Sequence, residues 1–216
     1  MPEKRFIPSR QRRSGLRDAK LIIIAAEGTN TEKRYFEDLA NEYYTSRIHV
    51  EVLERFSTAS DPHHILALLD SFCHKYAIRR GYDELWLVID VDRWRDKLLS
   101  EISTLCSQKN YYMAVSNPCF EIWLLVHLKS LGEYDENTLE EFRVNKGTEN
   151  RTRLDIELAR LLGYYNKSNL DTAPFLPRVE RAISEARRLD VHPEHRWPID
   201  LGSRIYLLAE NIFRIS

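Results

Sequence analysis

Asp90-Val91-Asp92 and Glu27 carry the clearest chemical content in this 216-residue chain. Two carboxylates two positions apart repel one another, a cost that a cation between them removes. Both acidic groups directly follow apolar runs. Leu21-Ile22-Ile23-Ile24-Ala25-Ala26 leads into Glu27-Gly28, and Leu85-Trp86-Leu87-Val88-Ile89 leads into Asp90. Short apolar runs of this kind read as buried strands of a parallel sheet. In open α/β sheets, ligand sites form just beyond the carboxyl ends of the strands. Three carboxylates delivered to one such edge make a hard oxygen site suited to Mg2+ or Mn2+, and metal-assisted phosphoryl transfer is the chemistry that uses one. The alternative structural roles are an N-cap pair for Asp90 and Asp92 and a turn residue for Glu27.

Further candidates are less specific. Glu121 lies inside Phe120-Glu121-Ile122-Trp123-Leu124-Leu125-Val126, where a carboxylate is expected to be at least partly buried. It reads either as a second metal ligand or proton-transfer group, or as a charge stabilised by the start of its helix. Lys167 is a candidate electrophile for charge developing on phosphorus, or simply a solvated lysine. Glu32 fits a capping box with Thr29 and is assigned to that role. His63-His64 and His192-x-x-His195 complete no zinc set and read as surface or helix-cap residues. Ser116 has no nucleophile-elbow glycines around it. Neither a Walker glycine loop nor a dinucleotide fingerprint occurs.

The elements that must position these groups can be read from periodicity and punctuation. Strands are expected over 20–26, 47–53, 84–89 and 111–115. Between them, helical spacing begins near Thr29, at Asp61-Pro62 (running to about Arg80) and over 95–109. Asn117-Pro118 should open a helix from Cys119 to about Leu131 that is apolar nearly all round and therefore buried. Strand and helix alternating in this way predict a mostly parallel sheet with right-handed crossovers. Beyond residue 132 no strand is expected; helical patterns recur at about 152–162, 175–189 and 202–213. Residues 132–151, with Asn145-Lys146-Gly147, read as a mobile loop. The expected division is a basic arm over 1–19, a catalytic core over 20–131 and a helical C-terminal region over 132–216 packed on that core.

Composition sets outer bounds. Hydrophobic residues make up 43% of the chain, enough for a sizeable core. No apolar run approaches the roughly 20 residues needed to cross a bilayer. The basic N-terminus has no apolar segment directly behind it and is no secretory signal. Cys73, Cys106 and Cys119 match no zinc or disulfide spacing and read as buried thiols of a cytoplasmic protein. The formal net charge of −1 conceals an asymmetry. Residues 1–20 hold seven basic and two acidic side chains, a net +5, leaving 25 basic and 31 acidic groups, a net −6, on the rest. Such an arm is either a solubilising tail or a contact for nucleic-acid phosphates through Arg10, Arg12, Arg13 and Arg17.

Taken together, four segments resemble the RloB-like family. They are Arg12-Arg13-Ser14-Gly15-Leu16-Arg17, Glu27-Gly28-Thr29-Asn30-Thr31-Glu32-x-x-Tyr35-Phe36, Asp90-Val91-Asp92-Arg93-Trp94, and Ser116-Asn117-Pro118-Cys119-Phe120-Glu121-Ile122-Trp123-Leu124-Leu125. Tyr165-x-Lys167 looks like the family's later Tyr-x-Lys element. The resemblance implies an α/β fold with a Toprim-like core, the metal-binding fold shared by topoisomerases, bacterial primases and OLD-type nucleases. It also implies a phage-defence nuclease from restriction or abortive-infection loci, often encoded beside an ABC/AAA-type ATPase partner. Glu27 would correspond to the Toprim glutamate, and Asp90 and Asp92 to its DxD pair. Glu121 and Lys167 fall where OLD-like relatives carry additional catalytic groups.

The expected activity is therefore hydrolysis of a phosphodiester bond in DNA or RNA with Mg2+ or Mn2+ as cofactor. Glu27, Asp90, Asp92 and Glu121 would be the metal ligands, with Glu27 alternatively a general base. Lys167 and Arg93 would meet the transition-state charge. A second reading is a non-catalytic sensor that binds nucleic acid or a nucleotide while an ATPase partner does the work. A third, a nucleotidyl or glycosyl transferase, lacks any recognisable nucleotide pocket. A topoisomerase is disfavoured because no further domain carries a strand-passage tyrosine. Homodimerisation is left open.

Overall fold

The computed structural model describes residues 19–28, 30–54, 61–92, 94 and 96–213. The basic arm, Thr29, Arg93 and Arg95 lie outside the described residues. So do the arm arginines and Arg93 named above as nucleic-acid contacts.

Among the described residues, five strands form one sheet in the order β2-β1-β3-β4-β5. They are β1 (Lys20–Ala26), β2 (Ile48–Val52), β3 (Glu84–Asp90), β4 (Tyr112–Asn117) and β5 (Gly202–Ser203). The first four pair in parallel, with Ala26 opposite Val88 and Asp90 opposite Ser116. The helices between them are α1 (Thr31–Glu42), α2 (Pro62–Lys75) and α3 (Asp96–Lys109). After β4 come α4 (Glu121–Leu128), α5 (Glu136–Val144), α6 (Arg153–Leu162) and α7 (Val179–Leu189), with α8 (Ile205–Phe213) following β5. No helix among the described residues is long and apolar enough to cross a membrane.

Alternation along the strands explains why the sheet is covered on both faces. Side chains of Ile22, Ile24, Ala26, Trp86, Val88 and Ala114 join one buried cluster with residues of α1, α4, α6, α7 and α8. Their neighbours Leu21, Ile23, Ala25, Leu85, Leu87, Ile89 and Val115 join a second with α2 and α3. Strand segments buried on both faces are apolar at successive positions, which is why Leu21–Ala26 of β1 and Leu85–Ile89 of β3 are continuous apolar runs. Each fully buried Ile or Leu in them contributes about 1.5–3 kcal/mol.

The topology places an opening at one point. From β1 the chain crosses through α1 to β2 on one side; from β3 it crosses through α3 to β4 on the other. The strand order therefore reverses between β1 and β3, and a crevice opens beyond their carboxyl ends. Glu27 and Asp90 stand at those two ends.

Several expectations are corrected. The helix begun at Pro62 ends at Lys75, where Tyr76 turns extended, rather than at Arg80. The following loop is organised around buried Asp83, which accepts hydrogen bonds from the Leu21 and Arg79 backbone N–H groups at 3.0 and 2.7 Å and pairs with the Arg79 guanidinium. The strand β5 was not expected; two residues pairing antiparallel with Ser116 and Asn117 leave no periodic trace. Residues 132–151 are not simply a loop. Asp135 caps α5 by accepting the Thr138 N–H at 3.0 Å, and Phe142 on that helix is fully buried. Asn145 closes α5 in the left-handed conformation at φ 49°, accepting the Leu154 N–H at 3.1 Å and donating to the Cys119 sulfur at 3.3 Å.

Candidate metal centre at the carboxyl edge of the sheet

Glu27 is the first residue past β1, and its side chain is buried. Its Oε2 accepts the Asp90 backbone N–H at 3.2 Å and the Trp94 indole N–H at 3.0 Å. The Glu27 N–H in turn donates to the Val88 carbonyl at 2.9 Å, continuing the β1–β3 ladder. One carboxylate thus fastens the ends of both central strands.

Asp90, the last residue of β3, shares the alternation of Trp86 and Val88 and so belongs to the face that α1 and α4 cover. The strand does not continue to Asp92. Residues 91 and 92 turn away, with the Val91 N–H donating to the Ser116 carbonyl at 2.9 Å and the Asp92 N–H to the Pro118 carbonyl at 3.1 Å. Asp92 is exposed at the mouth of the crevice. The strand period therefore does not align the two aspartates; a turn separates them.

Helix α1 contributes Glu32, which sequence reasoning assigned to capping. Asn30 occupies the N-cap without a side-chain cap bond, and Thr29 lies outside the described residues. The Glu32 side chain is buried and folds back over Gly28, so close that a Cβ at position 28 would fall inside its carboxyl group. Burial, then the charges of Glu121 and Glu27, push the Glu32 carboxyl up to about 7. The glycine after Glu27 was the available sequence signal. It marks a close approach, which is made here by a side chain four positions on.

Helix α4 begins with Glu121, so the buried carboxylate sits at a helix N-terminus, where its charge is favoured. The Tyr165 hydroxyl donates to Glu121 Oε1 at 3.1 Å, and the Lys167 Nζ lies 3.1 Å from the same oxygen. Lys167 also pairs with Asp155 Oδ1 at 3.1 Å. Burial alone would lower the Lys167 ammonium, but Glu121 and Asp155 hold it above its usual range, so it stays charged. Burial and the same two carboxylates raise the Tyr165 phenol, keeping it a donor. The Lys167 carbonyl accepts the Thr31 hydroxyl at 2.9 Å, tying this segment to the start of α1.

The electrostatic centre of the group is Asp90. Burial, followed by the charges of Glu32, Glu121, Glu27 and Asp92, pushes its carboxyl well above the usual carboxylate range. Cys119 is likewise raised by burial and by Glu121, Asp90 and Asp92, so its thiol stays protonated and inert. Glu27, Glu32, Asp90, Asp92 and Glu121 lie at this edge, and among the described residues Lys167, itself shared between Glu121 and Asp155, is the ammonium paired there; negative groups are in excess, and every donor is a hard oxygen. That donor set suits Mg2+ or Mn2+. The oxygens spread more widely than one coordination shell, so a cation would have to draw them inward. Among the described residues, the three donors that come within 4.8 Å of one another lie elsewhere, at His192, Glu194 and His195.

The fold and this edge define a mostly parallel, doubly covered α/β protein with acidic groups converging at the switch point, consistent with a Toprim-like α/β core. The RloB-like protein family matches residues 22–212, most of the chain, and the chain belongs to that family. Comparison with curated proteins and with solved structures finds no match.

Proposed function

We propose that this protein is a metal-dependent nuclease that hydrolyses phosphodiester bonds of DNA or RNA in anti-phage defence, working with an ATPase partner. The observation that carries the reading is the convergence of Glu27, Asp90, Asp92, Glu32 and Glu121 on the switch-point crevice, where burial first and then the neighbouring charges raise Asp90. Binding an anion gains nothing from such a cluster, which weighs against a sensor that merely holds nucleic acid.

Glu27, Asp90 and Asp92, with Glu32 and Glu121 beside them, are the residues that would hold Mg2+ or Mn2+. The cation would supply Lewis acidity at the phosphodiester oxygens and a more acidic water. Glu27 orients the site by holding the β3 terminus through the Asp90 N–H. Among the described residues, Lys167 reaches the acidic edge; it pairs with both Glu121 and Asp155, so its first role is to hold those two carboxylates in place. Stabilising the phosphorus-centred charge would be its second. Arg93 and the basic arm supply further positive charge for the backbone of the substrate.

The test is cleavage of single- and double-stranded DNA and RNA by the chain with its ATPase partner in Mg2+, comparing wild type with Asp90→Asn. The reading expects cleavage to fall by at least about a hundredfold, roughly 2.7 kcal/mol of lost transition-state stabilisation. Undiminished cleavage by Asp90→Asn would refute it.

A further inference from the structure

The segment joining α7 to β5 carries a second cluster of donors that the nuclease reading does not use. His192 Nδ1 lies 3.1 Å from Glu194 Oε1, and His195 Nε2 lies 3.8 Å from the same oxygen. The two imidazole rings stack at 5.1 Å between centroids with 18° between planes. One donor atom from each of the three residues falls within 4.8 Å of the others. In a tetrahedral site with ligand bonds of about 2.0–2.1 Å, neighbouring donors stand roughly 3.3 Å apart. The observed separations bracket that value.

The backbone under these side chains is held by a buried residue. Arg204 donates from Nη1 to the His195 carbonyl at 2.6 Å and from Nη2 to the His192 carbonyl at 3.0 Å. Its remaining bonds go to the carboxylate of Asp190, at 2.9 and 3.0 Å. The His195 N–H closes the turn on the His192 carbonyl at 3.1 Å. Arg196 anchors the same segment to α3 through the Ser100 carbonyl and the Ser100 and Thr104 hydroxyls. Pro198 accepts the Asn117 side-chain amide at 3.0 Å. A loop fixed at three points presents its two histidines and its glutamate to solvent with little left to order on binding.

We propose that His192, Glu194 and His195 form a surface site for a divalent transition cation of the Zn2+ class. Two imidazoles and one carboxylate favour Zn2+ over Mg2+, because magnesium prefers oxygen donors. The three protein donors leave coordination positions for water, as exposure of all three side chains requires. Occupancy would join both ends of the His192–His195 turn and so fasten the strap that connects α7, α3 and β4. This site is independent of the acidic edge of the sheet, since its donors and their supports come from different segments.

The experiment titrates ZnCl2 into the tag-free, EDTA-treated full chain by calorimetry, with Co2+ absorption as a second readout of imidazole ligation. Wild type should take up one equivalent that His192→Ala/His195→Ala loses, and Glu194→Gln should bind about tenfold or more weakly. Asp90→Asn should retain that equivalent, which separates this site from the acidic one. Added Zn2+ should also raise the melting temperature of wild type and not that of the double variant. Failure of wild type to bind, or identical titrations for wild type and the double variant, would overturn the proposal.

Discussion

Glu27 Oε2 receives the backbone N–H of Asp90 at 3.2 Å, so the carboxylate closing one central strand is bonded to the residue closing the next. The link uses strand adjacency: Ala26 and Val88 are already register partners, and one more residue on each side brings the two acidic positions together. It also means that Glu27 has a structural task in addition to any ligand role, and substitutions there will show both.

Gly28 separates those tasks. A side chain at this position must displace Glu32, whose carboxyl occupies the space. The obstacle is the end of a flexible side chain, so Gly28→Ala should cost at most about 1 kcal/mol of stability. Nuclease activity should nonetheless fall clearly, because one of the acidic groups has been expelled. Urea melts alongside cleavage rates check this; a variant with full activity would show that the position of Glu32 is immaterial.

Lys167 bonds two buried carboxylates at once. Lys167→Met leaves Glu121 and Asp155 without their shared ammonium. Removing one partner of a buried pair is strongly destabilising, and the partial exposure of Lys167 moderates the cost to about 1–3 kcal/mol. Adding Glu121→Gln should recover part of the loss. A double-mutant cycle in urea measures the coupling, which should exceed about 0.5 kcal/mol; additive effects would mean that the pair is not formed in solution.

Much of this arrangement was legible in the chain. The runs before Glu27 and Asp90 are apolar at every position because both faces of the sheet are covered, and that pattern led directly to the crevice. The identity of Glu32 as a member of the cluster was hidden, since its spacing from Thr29 matches a capping box equally well; only the fold of its side chain over Gly28 distinguishes the two. A spacing of two would set Asp92 beside Asp90 only on a continuing strand, and the turn bonded to Pro118 ends the strand at Asp90. The pairing of Glu121 with Lys167 spans 46 positions, and no local period encodes such a contact. Gly202-Ser203 and Asn145 escaped for a related reason: one gains strand character only from its partner β4, the other acts as a helix cap despite a turn-like Asn-Lys-Gly setting.

His127 predicts how stability depends on pH. It is fully buried, and its Nδ1 donates to the Trp123 carbonyl at 2.8 Å, leaving Nε2 to accept the Tyr35 hydroxyl at 3.0 Å. The second of these bonds requires the neutral ring, since a protonated Nε2 cannot accept. Burial, then the charges of Arg178 and Arg181, lower its pKa from 6.5 to about 3. Between those values the unfolded chain binds a proton that the folded chain does not. The contribution of this residue is complete above about pH 6.5 and is lost as pH falls toward 3, at up to about 1.4 kcal/mol per pH unit. Urea melts from pH 7 to 4.5 should show that slope reduced in His127→Gln; an unchanged slope would contradict the assignment.

The claim on which the functional account turns is that Glu27, Asp90 and Asp92 share a divalent cation. Electron paramagnetic resonance of Mn2+ bound to the chain, in a His192→Ala/His195→Ala background, addresses it without reference to any substrate. The account predicts saturable Mn2+ binding that Asp90→Asn weakens by about tenfold or more, with Mg2+ competing for the same site. Equal Mn2+ binding with and without the Asp90 carboxylate would contradict it.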